Sequence, residues 1–175
     1  MPVIPDAQFP DHWPSNLLGL IGEIVIAAGQ LEHAVNLSYK RLAKQDYSPG
    51  MQQVADMLRF TKKTRAIKQA ANARGLVQSD RMRLSEIMRG ANSAWKDRNG
   101  VIHAVYAELP SGKRVRRHQV SKSGQPFESK DLGLREQDFE SIVTALRNSR
   151  DELDQFKSPW KEILCASLAN LRFGG

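Results

Sequence analysis

A single cysteine, Cys165, stands in the 175-residue chain, so no intramolecular disulfide can form and a reducing, cytoplasmic setting is expected. Placed on an apolar helical pattern, it reads as a small core residue. No metal motif is present, because the four histidines, His12, His33, His103 and His118, are scattered and no His-x-x-x-His or paired cysteine occurs. A phosphate-binding glycine loop is missing. The serines, lysines and aspartates form no nucleophile motif, and no metal or organic cofactor is expected. The longest apolar run, "LLGLIGEIVIAAG" at 17–29, is broken by Glu23 and falls short of the about 20 residues that a bilayer span needs. It reads as a core helix, with no membrane partner. The N-terminal "MPVIPDAQFPDHWPSN" carries acids and prolines where a signal peptide has a basic start and an apolar centre, so export is not expected. No internal repeat or low-complexity tract occurs.

What the chain does have is an ordinary globular composition, 41% hydrophobic and 26% charged, in a length that suits one hydrophobic core. One domain covering 1–175 is expected. The charge balance is positive, +7 with a pI near 9.8, and such a field draws polyanions, of which nucleic acid is the usual one.

Apolar residues step by three, four or seven through Leu17, Ile21, Ile24, Ala28, Leu31, Val35 and Leu42, which predicts a long amphipathic helix capped by Ser15 or Asn16. Residues 1–14 ahead of it form an extended arm. Gly19, Gly22 and Gly29 permit a close backbone approach, as by a second copy of the chain. A second helical region, 50–74, with a break near "RFTKKT", stops at Gly75, a suitable C-cap. The third helix starts at Ser79 or Asp80 and carries Leu84, Ile87, Met88, Ala91 and Trp95 as its seam. From 104 to about 130 the period changes: "AVYAEL", "KRVRRHQV" and "QPFES", separated by "PSG" and "KSG", predict a small antiparallel β insertion. A last long helix follows over 135–156, and "SPWKE" at 158–162 restarts it. The fold class is mostly α, a bundle of four or five helices with a β-hairpin or meander inserted before the last long helix.

Continuing the third helix's seam beyond Trp95 places Arg98 in a core-facing lane, followed by Ile102. A guanidinium cannot shed its proton, so it must be paired, solvated through a cleft or bound to an anion. Glu32, beside the apolar stripe of the first helix, is the candidate partner for a purely structural role. A second lane holds Asn92, Asn99, His103 and Tyr106. Asn99 and His103 lie one helical turn apart, while Arg98 and His103 differ by about 140° around the axis and flank one groove if Arg98 reaches round.

"RNGVIH", Arg98 to His103, together with the long first helix containing "LEHAVNLSYKRL", resembles the HEPN superfamily of small helical-bundle proteins. Its ribonuclease members carry an arginine, four to six residues and a histidine, with asparagine often directly after the arginine. The resemblance implies an HEPN-like bundle, a homodimer whose two Arg–His pairs line one cleft, and metal-independent endoribonuclease activity in a toxin or phage-defence setting, with an antitoxin or other protein partner. By that likeness His103 is the general acid or base, Arg98 holds the scissile phosphate, and Asn99 orients the histidine or donates to phosphate. Tyr106 stands three residues after the histidine, where some toxin members have a tyrosine two after, and is given a supporting role with Glu32. Other members of the superfamily only bind or scaffold, which keeps a non-catalytic module binding RNA, nucleotide or protein as the alternative.

Basic residues gather in two places. Those over 59–89, from Arg59 to Arg89, read as a solvated face. Lys113, Arg114, Arg116 and Arg117 in the β insertion read as an RNA contact or as an edge that blocks sheet aggregation.

Overall fold

A computed structural model describes residues 13–43, 52–54, 56–57, 59–108, 111, 114–120, 128–133 and 135–156. Within the strands, the side chains described are those at 106–108 and 115. The arm at 1–12, Cys165 and the restarted helix from 158 lie outside the described residues.

Helix α1 runs Ser15–Ala43. Its buried face is the sequence's own stripe: Leu17, Ile24, Ala28, Leu31, Val35 and Leu42 all enter the core, with Ile24, Leu31 and Val35 fully enclosed. The expected caps are not used as caps. The Leu18 amide donates to the Pro14 carbonyl, and the Asn16 amide instead reaches Glu136. A helical turn at 52–54 puts Val54 into the core. Arg59 is then extended, at φ −105° and ψ 125°, and α2 runs Phe60–Ala73, so the break expected near 59–64 falls just before Phe60.

At the end of α2, Gly75 adopts φ 66°. Its amide donates to Asn72 O at 3.0 Å and the Leu76 amide to Ala71 O at 3.3 Å. Those two bonds make a Schellman cap, and buried Leu76 closes it from the inside. The next helix, α3, runs Gln78–Ile102, within the one or two residues by which helix ends ordinarily differ. The Phe60 and Trp95 rings stack at 4.2 Å and 4°, which fixes α2 antiparallel to α3.

The β insertion is a three-stranded antiparallel meander in the order β1 (Val105–Glu108), β2 (Arg114–Val120), β3 (Glu128–Gly133). The cross-strand partners Ala107 and Val115 are both buried. The third strand starts later than "QPFES" implies. Its described residues begin at Glu128, within that stretch.

Helix α4 then runs Glu136–Gln155 and buries Phe139, Val143, Leu146 and Leu153. It lies parallel to α1, as the contacts Glu23–Arg147 and Gln30–Arg150 rise together along both helices. Such exposed pairs contribute about 0–1 kcal/mol each, against about 1.5–3 kcal/mol for each large apolar side chain fully enclosed. Packing on α1 therefore decides the fold. The result is a mostly α bundle with a small strand element.

Helix α1 is long and apolar enough to cross a membrane by length and composition, but its inner face is spent on the core. Its outer face leaves Leu18, Val25 and Ile26 exposed.

Replacing Gly75 with alanine forces a Cβ into the left-handed region and is expected to cost about 1–2 kcal/mol. Urea unfolding checks this: the midpoint falls while the slope stays unchanged.

Candidate functional site

Trp95, Arg98 and Ile102 continue the apolar seam of α3, and the physical question is how a permanent charge is accommodated there. Arg98 is half-buried. Its guanidinium carbon lies 5.1 Å from the centroid of the Trp95 ring, and Trp95 in turn rests on Phe60. Phe60, Trp95 and Arg98 thus form a column in which an aromatic face carries the cation, an arrangement that contributes about 0.5–2 kcal/mol.

Arg98 Nη1 donates to Asn99 Oδ1 at 3.0 Å. The guanidinium thus stays over Trp95 in its own lane and turns one edge toward Asn99, which lies one helical turn before His103. Arg98 Nε is buried and has no hydrogen-bond partner among the described residues. No carboxylate pairs with Arg98 there either. With its Oδ1 engaged, Asn99 has two N–H donors left to offer a ligand.

His103 caps α3 at φ −100° and ψ 9°, its amide donating to Asn99 O at 3.1 Å. Its side chain is exposed. Arg98 and Asn99 thus stand in the last turn and a half of α3 and His103 at its C-cap. The helix supplies Arg98 and Asn99 from its final stretch, and its termination after Ile102 frees the imidazole from neighbours.

Other expected members of the site are placed elsewhere. Glu32 does not meet Arg98. Its Oε1 lies 2.5 Å from Lys63 Nζ, because α1 packs extensively on α2 and the long Lys63 side chain, only 7% exposed, extends to the carboxylate. The reading of 59–89 as wholly solvated is corrected at the same residue. Asn92, on the same lane of α3 two turns earlier, is covered by α2, donating to Thr64 Oγ1 at 2.9 Å and Met88 O at 2.8 Å. Tyr106 stands on β1, where helical spacing no longer applies. Its hydroxyl donates to Val101 O at 2.9 Å, and its ring meets Trp13 edge-on at 5.7 Å. It ties the start of α1 to the end of α3.

Arg114, Arg116 and Arg117 lie on β2, the central strand of the meander. A central strand has no free edge to protect, so the edge-blocking explanation does not hold for it. Lys113 and the side chains of these three arginines lie outside the described residues.

The aromatic column under Arg98 was missed in sequence terms. Its signal is the Trp95–Arg98 spacing of three, which stacks two side chains on one helical face. The chain matches no protein-family model, no curated protein and no solved structure.

Glu32→Gln strips buried Lys63 of its carboxylate and is expected to lower stability by about 1–3 kcal/mol. Adding Lys63→Met to that variant recovers most of the loss in chemical denaturation. If Glu32 served Arg98, the second substitution would recover nothing.

Proposed function

We propose that the chain is a metal-independent endoribonuclease of HEPN type, acting as a homodimer in a toxin or phage-defence setting with RNA as substrate. The observation that carries the reading is the state of Arg98: a half-buried guanidinium with no carboxylate among the described residues, held on Trp95 and hydrogen-bonded to Asn99. A cation fixed in this way lacks an anion. The phosphodiester supplies one, and the planar fork matches its two non-bridging oxygens.

In the chemistry these residues support, His103 takes the proton of the ribose 2′-hydroxyl as its oxygen attacks phosphorus. The bond from phosphorus to the 5′-oxygen breaks, and that oxygen receives a proton from an imidazolium. The products are a 2′,3′-cyclic phosphate and a 5′-hydroxyl. Arg98 neutralises charge building on the phosphoryl oxygens, and the Asn99 amide donates to the same group. A dimer supplies the second imidazole, so that one acts as base and the other as acid.

The outer face of α1 supports the dimer. Gly22 and Gly29 have nothing within 4 Å of where a Cβ would sit. Leu18 and Val25 wall this channel on one side and Ile26, 63% exposed, on the other. The border is close to charge-balanced, with Glu23 paired to Arg147 and Arg150 to Asp151. Two copies of a chain carrying +7 meet here without the repulsion their basic faces impose. Backbones approach closely across glycine, and an isologous contact needs just such a self-complementary surface.

One observation favours a second reading. The His103 imidazole makes no hydrogen bond among the described residues, so nothing there selects its tautomer. A module that binds RNA or a nucleotide through Arg98 and Asn99 without cleaving it has no need of that selection.

Purified protein is expected to degrade RNA in EDTA. His103→Ala lowers the rate by about 100- to 10,000-fold, and Arg98→Ala by about 100- to 1,000-fold, with circular dichroism unchanged in both. The binding-only reading takes its place if neither substitution alters turnover while Arg98→Ala alone weakens RNA binding. Asn99→Asp gives Arg98 an internal anion and is expected to depress RNA binding without loss of thermal stability. Ile26→Glu is expected to convert the dimer to a monomer in analytical ultracentrifugation, and an unchanged sedimentation coefficient removes α1 as the interface.

A further inference from the structure

Beyond the Arg98 end of α3, a second polar cluster faces a cavity of about 120 Å³ between α2 and α3. Its lining is Lys68, Ala71 and Asn72 from α2 with Arg81, Leu84 and Ser85 from α3. Ala71 and Leu84 are buried and make an apolar floor. The rim holds two cations, an amide and a hydroxyl, and no carboxylate. The volume is several times the about 30 Å³ that one water occupies in the liquid.

The helical register shows how this came about. On α2 the residue one turn after Lys68 is Asn72, and on α3 the residue one turn after Arg81 is Ser85. Those are the positions at which a helix would set a carboxylate to pair with the cation. Both helices place a neutral hydrogen-bonding group there instead. The nearest acids in α3, Asp80 and Glu86, are one and five residues from Arg81 and fall on other faces.

Arg81 Nε is buried and has no hydrogen-bond partner among the described residues. Neither Lys68 nor Arg81 makes an ion pair there. Two converging cations without an acid, one of them with a buried and unused donor, describe a site whose anion comes from outside the chain.

We infer that Lys68, Asn72, Arg81 and Ser85 bind a single phosphate group, with Arg81 as the principal donor. The guanidinium offers directed N–H bonds to adjacent phosphate oxygens. Lys68 adds a mobile point charge, and Asn72 and Ser85 donate to the oxygens that remain. The site lies 17 residues from Arg98, about 26 Å along the helix axis, and does not rest on the ribonuclease proposal. The phosphate group belongs either to an RNA backbone or to free inorganic phosphate.

The test titrates the full-length protein, labelled with nitrogen-15, with inorganic phosphate at ionic strength held constant with sodium chloride. The Arg81 Nε–H signal, assigned by its loss in Arg81→Gln, is expected to shift saturably with phosphate and to stay still with chloride. Calorimetry is expected to show phosphate binding weakened about tenfold or more in Arg81→Gln and in Lys68→Gln, as loss of a charge-assisted bond implies, and unchanged in Arg89→Gln. Should Arg81→Gln fail to fold, exposed Lys68 carries the comparison. A short RNA that competes with phosphate for the Arg81 signal supports the site with RNA backbone as its source. An RNA that leaves phosphate in place supports it with free phosphate as its source. Equal responses to phosphate and chloride, or wild-type affinity in both variants, overturn the inference.

Discussion

The inner face of α1 is the constraint from which the rest of the architecture follows. Ile24, Leu31 and Val35 are wholly enclosed, and three elements close over them: α2, α3 and α4. No single exposed ion pair in the molecule rivals this burial, since each contributes about 0–1 kcal/mol. Because α4 runs parallel to α1 and antiparallel to α3, the end of α3 and the start of α4 lie at the same end of the bundle, beside the start of α1, where the chain makes its return. The β meander lies within that return. The meander's buried Ala107 and Val115 face each other across β1 and β2, and the chain turns into β1 directly after the end of α3.

At that end the packing and the chemistry meet. An apolar lane would ordinarily continue with another aliphatic residue, and a guanidinium in its place loses hydration that only a partner restores. Trp95 supplies part of that replacement through its ring face, and Asn99 supplies a hydrogen bond, but neither carries a negative charge. The Tyr106 hydroxyl donates to the Val101 carbonyl and its ring meets Trp13 edge-on, which ties this end of α3 to the start of α1.

How much of this was legible in the sequence follows from which forces are local. The α1 stripe, the Schellman glycine at Gly75 and the Arg98–Asn99–His103 grouping are set by helical period and by backbone conformation within a few residues, so periodicity alone reveals them. The partner of Glu32 was not legible. Both Arg98 and Lys63 are cations that such a carboxylate satisfies, and the choice depends on which helix packs closest to α1, a fact of tertiary geometry. Tyr106 was misplaced because helical spacing was carried one turn past Ile102, beyond the point where α3 ends.

Charge is distributed unevenly across the bundle, and the division has a structural cause. On α1 and α4 the acids Glu23, Asp138 and Asp151 each meet an arginine, so that side carries little net field. On α2 and α3, among the described residues, the one cation in an ion pair is Lys63, and it points inward. Arg59, Lys62, Arg65, Lys68, Arg83 and Arg89 remain exposed with Asp80 and Glu86 as their near acidic neighbours. An antiparallel hairpin of two basic helices concentrates potential because neither helix screens the other. The unpaired guanidinium nitrogens of Arg81 and Arg98 sit toward opposite ends of this same hairpin, so the field that gathers a polyanion and the donors that would fix it belong to one surface. The α1 outer face, apolar and balanced, is built on different terms.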